Sequence, residues 1–226
     1  MNLKALDHVA LWTPERDALS RVLVGCCGMH TIERTESFTL LGGDARRGKL
    51  TLFDAPDRRE RGVLERVVLR VEDPEAARRK LEDTQVATAA SDGMPTAELP
   101  SGLAVGLLPS DDGVTDLDHV VLQVPDAAAT GASLEDLGLR RSGDRLQVAG
   151  KELVLHDGGA TEGDRPLLNH IAFLVDRADD VEREARQRGL DVADVVDAPN
   201  TRAVFLWGPD RIKLEYVEHK PGFSLV

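Results

Sequence analysis

The stretch LDHVALWTP at residues 6–14 recurs as LDHVVLQVP at residues 117–125, with six of nine residues identical, about half the chain length later. Two weaker copies, LERVVLRVEDP at 64–74 and LNHIAFLVDRA at 168–178, lie between and after them. In each copy apolar and polar residues alternate, a pattern that predicts a β-strand. Repeats of this spacing indicate a chain built from several copies of one supersecondary unit.

The residues after each copy predict a helix and then three short strands. After the fourth copy, the helix is expected to start at a capping Asp176 and to stop at Gly189. The strands that follow it are expected near 191–197, 202–208 and 211–218. The unit is therefore βαβββ, repeated four times with approximate limits 1–57, 60–112, 115–159 and 165–218. The polar, turn-rich PSDDGVTD at 109–116 predicts a boundary between two halves, 1–112 and 113–226.

Composition and charge exclude several classes of protein. The formal net charge is −12, and no cluster of Lys and Arg lies beside aromatic residues, which argues against a nucleic-acid partner. No apolar run approaches the roughly 20 residues of a membrane span, and the first residues lack a signal-peptide pattern. The adjacent Cys26 and Cys27 fit a reducing compartment. We expect a cytoplasmic protein without a membrane partner, and exposed strand edges predict a homo-oligomer.

Four βαβββ modules, with a histidine opening the third and the fourth, resemble the vicinal oxygen chelate superfamily. Within that superfamily the chain is most similar to the type I extradiol ring-cleavage dioxygenases. The resemblance covers almost the whole chain, and its motifs lie within residues 117–218. It implies an α+β fold in which the modules pair into two open, cup-shaped mixed sheets, with a metal inside a cup.

A mononuclear iron(II) site for oxygen chemistry uses two imidazoles and one carboxylate, which leave three coordination positions open. His119 and His170 occupy equivalent points of modules three and four, and pairing of these modules would bring them together. The third ligand implied by the resemblance is Glu215, in the strand after the turn WGPD at 207–210. A glutamate on the enclosed face of a strand is costly unless a cation or a donor meets it.

The first half serves as an internal comparison. Alignment of modules one and two with three and four sets His8 against His119, Arg66 against His170, and Gly106 against Glu215. Since only one of the three ligand types survives, residues 1–112 are expected to form a scaffold half without metal. Residues 113–226 are expected to carry the metal and the active site.

His156 and Asp157 end the last strand of module three, where module one has Phe53 in place of the histidine. In the extradiol dioxygenases a His-Asp pair at this place supplies an acid–base histidine beside the oxygen site. The resemblance therefore implies that His156 is catalytic. An imidazole with a pKa near 6.5 can accept a proton and later return it.

Two departures from the family pattern concern the substrate. Phe205 stands where the family usually has a tyrosine that hydrogen-bonds the substrate, and the short DAPNTR at 197–202 lacks a second loop histidine. By strand parity with the ligands, Phe205, Val121 and Ala172 are expected to form part of the pocket wall. The C-terminal EYVEHKPGFSLV, which carries His219, is expected to pack over the cup or against a partner subunit.

The resemblance implies an Fe(II)-dependent extradiol dioxygenase that opens the ring of a catechol with O2, with Mn(II) as the alternative metal. A second hypothesis is a divalent-metal isomerase or lyase of the glyoxalase kind, which would need a further carboxylate ligand. A third is a non-enzymatic ligand-sequestering protein, which would bind its ligand equally well after exhaustive chelation.

Overall fold

The computed structural model describes residues 1–44 and 46–223, and it contains the βαβββ unit four times. Module one comprises β1 (Leu3–Thr13), α1 (Arg16–Cys27), β2 (His30–Arg34), β3 (Phe38–Gly42) and β4 (Lys49–Asp54). Module two comprises β5 (Leu64–Val71), α2 (Pro74–Asp83), β6 (Thr88–Ser91), β7 (Met94–Glu98) and β8 (Ala104–Pro109). Module three comprises β9 (Asp116–Val124), α3 (Ala127–Asp136), β10 (Arg140–Ser142), β11 (Arg145–Val148) and β12 (Lys151–Asp157). Module four comprises β13 (Leu168–Val175), α4 (Ala178–Arg188), β14 (Val192–Asp197), β15 (Thr201–Trp207) and β16 (Lys213–His219).

The helix boundaries follow local capping chemistry. Asp73 and Asp126 accept backbone N–H groups at the starts of α2 and α3, which satisfies donors that have no partner inside the helix. Helix α4 ends at Gly189 in the left-handed conformation, as the sequence predicts. Its predicted cap is wrong: Arg177 is the N-cap residue, and the carboxylate of Glu218 accepts the N–H of Ala178 at 2.9 Å.

The strands form two eight-stranded mixed sheets, which confirms the predicted fold class. One sheet has the order β14-β15-β16-β13-β1-β4-β3-β2, and the other has the order β10-β11-β12-β9-β5-β8-β7-β6. Module four therefore shares a sheet with module one, and module three shares a sheet with module two. We expected modules three and four to share a sheet, and this expectation is wrong. Neither sheet coincides with residues 1–112 or 113–226.

The first strands of the modules join the sheets in antiparallel pairs. Strand β1 pairs with β13, and β5 pairs with β9. All four first strands alternate in the same way, so the repeat by itself allows any of them to meet. One large hydrophobic core, which includes Val9, Val67, Val120 and Ile171, contains residues from every module. The pairing of the first strands is thus decided by packing between modules.

Within the described residues, no helix is long and apolar enough to cross a membrane.

Candidate metal centre

Three potential ligands converge on the concave face of the sheet that modules one and four form. The side chains of His8, His170 and Glu215 offer donor atoms that all lie within 4.8 Å of one another. The two Nε2 atoms are 3.1 Å apart, and Glu215 Oε2 lies 2.8 Å from His170 Nε2 and 3.2 Å from His8 Nε2. His170 and Glu215 are buried. Among the described residues, this is the single group of three or more such side chains.

The strand registers explain this convergence. In the antiparallel pair of β1 and β13, His8 lies opposite Ala172 and His170 lies opposite Ala10. In the parallel pair of β13 and β16, Ala172 also lies opposite Glu215. Side chains directly across from one another share a face of the sheet. The three donors therefore surround a floor made of two alanines, which leaves room above it.

Each candidate histidine ligand is held by the residue that precedes it. His8 Nδ1 lies 2.8 Å from Asp7 Oδ2, and His170 Nδ1 lies 3.1 Å from Asn169 Oδ1. Both side-chain oxygens can accept a hydrogen bond from Nδ1–H. This tautomer leaves the lone pair of each Nε2 facing the other donors, which is the usual arrangement of a metal-binding histidine.

The pKa values show how strongly the three groups interact. Burial acts to raise the pKa of Glu215, but hydrogen bonds from His170 and His8 lower it to about 2. Burial acts to lower the pKa of His8, but Asp7 and Glu215 raise it to about 9. Burial lowers the pKa of His170 despite its contact with Glu215. The group therefore combines the ionised carboxylate of Glu215, the neutral imidazole of His170 and the protonated imidazole of His8. A bound cation would displace the extra proton of His8.

The donor set fits a divalent metal. Bonds of about 2.0–2.2 Å at right angles, as on one face of an octahedron, separate neighbouring ligand atoms by about 3.0 Å. The separations of 2.8–3.2 Å among the donors of the three side chains match this value. Two imidazoles and one carboxylate on one face of the ion form the donor set used by non-haem iron(II) oxygenases.

The register also identifies the position of a fourth ligand. The approximate two-fold relation between modules one and four exchanges Ala10 with Ala172, and Thr51 lies opposite Ala10 as Glu215 lies opposite Ala172. Thr51 is buried and lines the cavity. Its neutral hydroxyl supplies no negative charge, so the cup holds three strong donors rather than four.

The structure does not bring His119 to this group. His119 lies on β9 in the other sheet, where its Nδ1 is 2.6 Å from Asp118 Oδ1. The positions that correspond to His170 and Glu215 in that sheet are Arg66 and Gly106, because Arg66 lies opposite Val121 and Gly106 lies opposite Val68. The alignment of the repeats therefore identifies the equivalent positions in the two cups. The candidate ligands, however, come from modules one and four, whereas the sequence predicts modules three and four.

The second cup is filled by its own side chains. Val68, Met94 and Val121 form a small buried cluster on its floor, so Val121 is not part of the pocket wall near the candidate ligands. A Cβ atom on Gly106 would lie 2.7 Å from the Met94 sulfur, and a longer side chain there needs Met94 to move. The valines of this cup stand where the other cup has Ala10 and Ala172. That difference in size is a sequence signal that could have identified the open cup.

His156 also lies in the second sheet. It is half-exposed, and its Nδ1 lies 2.7 Å from Glu65 Oε2. The corresponding position in the cup of the candidate ligands is Phe53, because Phe53 lies opposite Trp12 as His156 lies opposite Gln123. The acid–base role expected of His156 therefore has no geometric support.

A cavity of about 510 Å³ opens onto the three candidate ligands. Phe205 lines it as predicted, with its ring edge-on to His170 at a centroid distance of 5.2 Å, and it lies opposite Glu215. Ala172 lies on the floor between His8 and Glu215. Much of the remaining wall is apolar, including Phe38, Leu40, Phe53, Val217 and Phe223.

Sequence reasoning missed Lys49, and it placed His219 in the C-terminal segment without giving it a role. Both residues line this cavity. His219 stacks on Phe223 at a centroid distance of 3.8 Å, and its Nε2 lies 3.3 Å from Asp7 Oδ1. The C-terminal segment therefore packs over the cup as far as Phe223, whereas residues 224–226 lie outside the described part of the chain. No local motif marks either residue, because both reach the site only through the pairing of modules one and four.

Comparisons with known proteins place the fold. No family model and no curated protein matches the sequence. Among solved structures, the chain resembles a "putative dioxygenase from Bacillus subtilis" with a TM-score of 0.76 and 17% identity, over 98% of this chain and 87% of that one. It resembles glyoxalase I from Zea mays with a TM-score of 0.73 and 15% identity, over 95% and 92%. A third similar structure is the CppA protein from Streptococcus pneumoniae, with a TM-score of 0.65 and 16% identity, over 96% and 100%. The repeated modules, the paired cups and these neighbours together establish that the protein has the vicinal oxygen chelate fold.

Proposed function

We propose that the protein is an Fe(II)-dependent extradiol dioxygenase, an oxidoreductase that cleaves the aromatic ring of a catechol-type substrate with O2. The observation that carries this proposal is the three-donor group of His8, His170 and Glu215, with Thr51 at the fourth position. A facial set of three ligands leaves positions for both hydroxyl groups of a catechol and for oxygen. The similarity to a dioxygenase structure supports the same class of chemistry.

A bound iron(II) ion would supply a Lewis acid and a path for electron density between the aromatic ring and oxygen. The chain itself contributes binding and orientation. Phe53 and Phe205 flank His170 at centroid distances of 6.3 and 5.2 Å, so a planar ring fits against apolar, aromatic walls. The volume of about 510 Å³ lies within the range of small-molecule sites, about 300–1,000 Å³.

His219 takes the acid–base role in this proposal, since Phe53 replaces a histidine at the expected place. It lines the cavity and lies outside the group of three ligands. When Nε2–H donates to Asp7, the second ring nitrogen, Nδ1, is free to accept a proton from a substrate hydroxyl. Its stacking on Phe223 fixes the plane of the ring.

The test is oxygen consumption by protein loaded with Fe(II) under anaerobic conditions and mixed with a panel of catechols before air is admitted. A yellow ring-opened product, with one O2 consumed per product, is the expected result. His8→Ala and Glu215→Gln should abolish it, whereas His119→Ala should retain it. His219→Gln should lower kcat while Fe(II) binding stays unchanged.

The similarity to glyoxalase I favours one alternative, a divalent-metal isomerase or lyase. It predicts that the protein binds Mn(II), Ni(II) or Zn(II) stoichiometrically and that the iron form consumes no oxygen with any catechol. The absence of a second carboxylate, as a fourth ligand, at Thr51 argues against it. A protein that binds aromatic ligands equally well before and after exhaustive chelation would instead be a sequestering protein.

A further inference from the structure

A buried lysine, Lys49, lies beside the candidate metal centre but is not one of its three ligands. Lys49 is 2% exposed, and its Nζ lies 2.9 and 2.8 Å from the two carboxylate oxygens of Asp7. The same carboxylate accepts a hydrogen bond from His8 Nδ1 at 2.8 Å and contacts His219 Nε2 at 3.3 Å. The buried carboxylate of Asp7 thus contacts Lys49, the candidate metal ligand His8 and the proposed acid–base residue His219.

We propose that Lys49 is a positioning residue for the metal centre, which fixes the Asp7 carboxylate and thereby holds His8 with Nε2 directed at the metal. The inference rests on the metal centre of the proposed function. Since Lys49 contacts both oxygens, it fixes the orientation of the carboxylate as well as its charge. A carboxylate held in this way accepts Nδ1–H of His8, which determines the tautomer and the orientation of the ring.

A buried carboxylate needs such a partner. Removal of one member of a buried ion pair leaves an uncompensated charge in a medium that solvates it poorly. Without Lys49, the Asp7 side chain would turn toward water, and this change would remove the acceptor for His8 Nδ1. The carboxylate of Glu215 lies on the other side of the same ring, 3.2 Å from His8 Nε2. Lys49 therefore compensates the charge of Asp7 in a site that also contains the carboxylate of Glu215.

The second cup provides an internal comparison. Asp118 and His119 repeat the Asp7–His8 pair, with 2.6 Å between Oδ1 and Nδ1. The position of Lys49, opposite the histidine in the neighbouring parallel strand, is Glu152 in that cup. There, Asp118 is paired instead with the partly exposed Arg70 at 2.6 Å. The carboxylate–histidine pair is common to both cups, whereas the buried lysine accompanies the cup in which three donors meet.

The experiment compares Fe(II) dissociation constants, measured anaerobically by chelator competition, for Lys49→Met and for the matched variant Arg70→Met. We expect Lys49→Met to weaken Fe(II) binding about 10- to 100-fold, as is typical for the loss of an outer partner of a ligand. Arg70→Met should leave the constant unchanged. In the metal-free protein above pH 9, where the His8 ring is neutral, its ¹⁵N shifts should report loss of the Nδ1–H tautomer in Lys49→Met.

A double substitution keeps the inference testable if Lys49→Met fails to fold. Asp7→Leu with Lys49→Met removes both charges of the pair and the acceptor for His8 Nδ1, so no unpaired buried ion remains, and it should bind Fe(II) about 10- to 100-fold more weakly than the wild type. A purely structural ion pair would lower the melting temperature and leave the Fe(II) constant and the tautomer unaltered, which would overturn the inference. Failure of the wild-type protein to bind Fe(II) would instead overturn the metal centre and this inference together.

Discussion

The choice between His8 and His119 as a metal ligand gives the sharpest test of the structure. His8→Ala removes one of three donors, while His119→Ala removes a histidine of the same repeat from the filled cup. Structural metal sites with four protein ligands bind with about 10–16 kcal/mol, so one ligand contributes about 2.5–4 kcal/mol. A tenfold change in affinity corresponds to about 1.4 kcal/mol, and water can take the empty position, so we expect a loss of about 100-fold in affinity.

The assay is anaerobic titration of the metal-free proteins with Fe(II) in competition with a chromophoric chelator. His119→Ala should bind Fe(II) within about twofold of the wild type, because His119 lies in the other sheet and outside the three-donor group. Circular dichroism and thermal unfolding confirm that both variants are folded. A variant pair in which His119→Ala loses the metal and His8→Ala retains it would refute the pairing of modules one and four, and with it the proposed centre.

Three further predictions address stability and the ligand set. Burial raises the pKa of Glu162 from its usual 4.5 to about 7, so this carboxyl should lower the stability of the protein as pH rises from about 4.5 to 7. Glu162→Gln should remove about 1–2 kcal/mol of that loss in urea unfolding, and parallel pH profiles of the two proteins would contradict the assignment. Thr51→Glu introduces a carboxylate at the position of the fourth ligand and should tighten Ni(II) or Zn(II) binding at least about tenfold in calorimetric titration. An unchanged affinity would contradict the assignment of this position. Tyr216→Phe removes the buried hydrogen bond to the Leu137 carbonyl and should lower the free energy of unfolding by about 1 kcal/mol. The measurement is a fall in melting temperature of about 2–4 °C, and an unchanged melting temperature would mean that this bond contributes nothing.

The repeat at residues 6–14 and 117–125 was enough to predict the βαβββ unit and its fourfold repetition. Strand alternation and helix stop signals act over a few residues, so they can be recognised without knowledge of distant contacts. Two of the three candidate ligands, His170 and Glu215, were also identified, because both belong to module four and lie on strands that pair directly. Phe205 and Ala172 lie near them for the same reason.

The errors have a common cause. His119, His156 and Val121 were assigned to the metal cup on the expectation that consecutive modules share a sheet, and all three lie in the sheet of modules two and three. His8 was assigned to a scaffold, although it completes the candidate metal centre. The size of the residues on the two cup floors, alanine in one and valine in the other, contains the information that the motifs lacked.

The sequence by itself determined the module, its repetition and the residue types available for a metal, since these depend on local periodicity and composition. Only the tertiary structure decided which first strands meet, and therefore which histidine joins His170 and Glu215. The four first strands present similar alternating faces, so their hydrogen bonding does not distinguish one partner from another. The choice is made by side-chain packing across the whole core, which involves residues from all four modules and has no local signature.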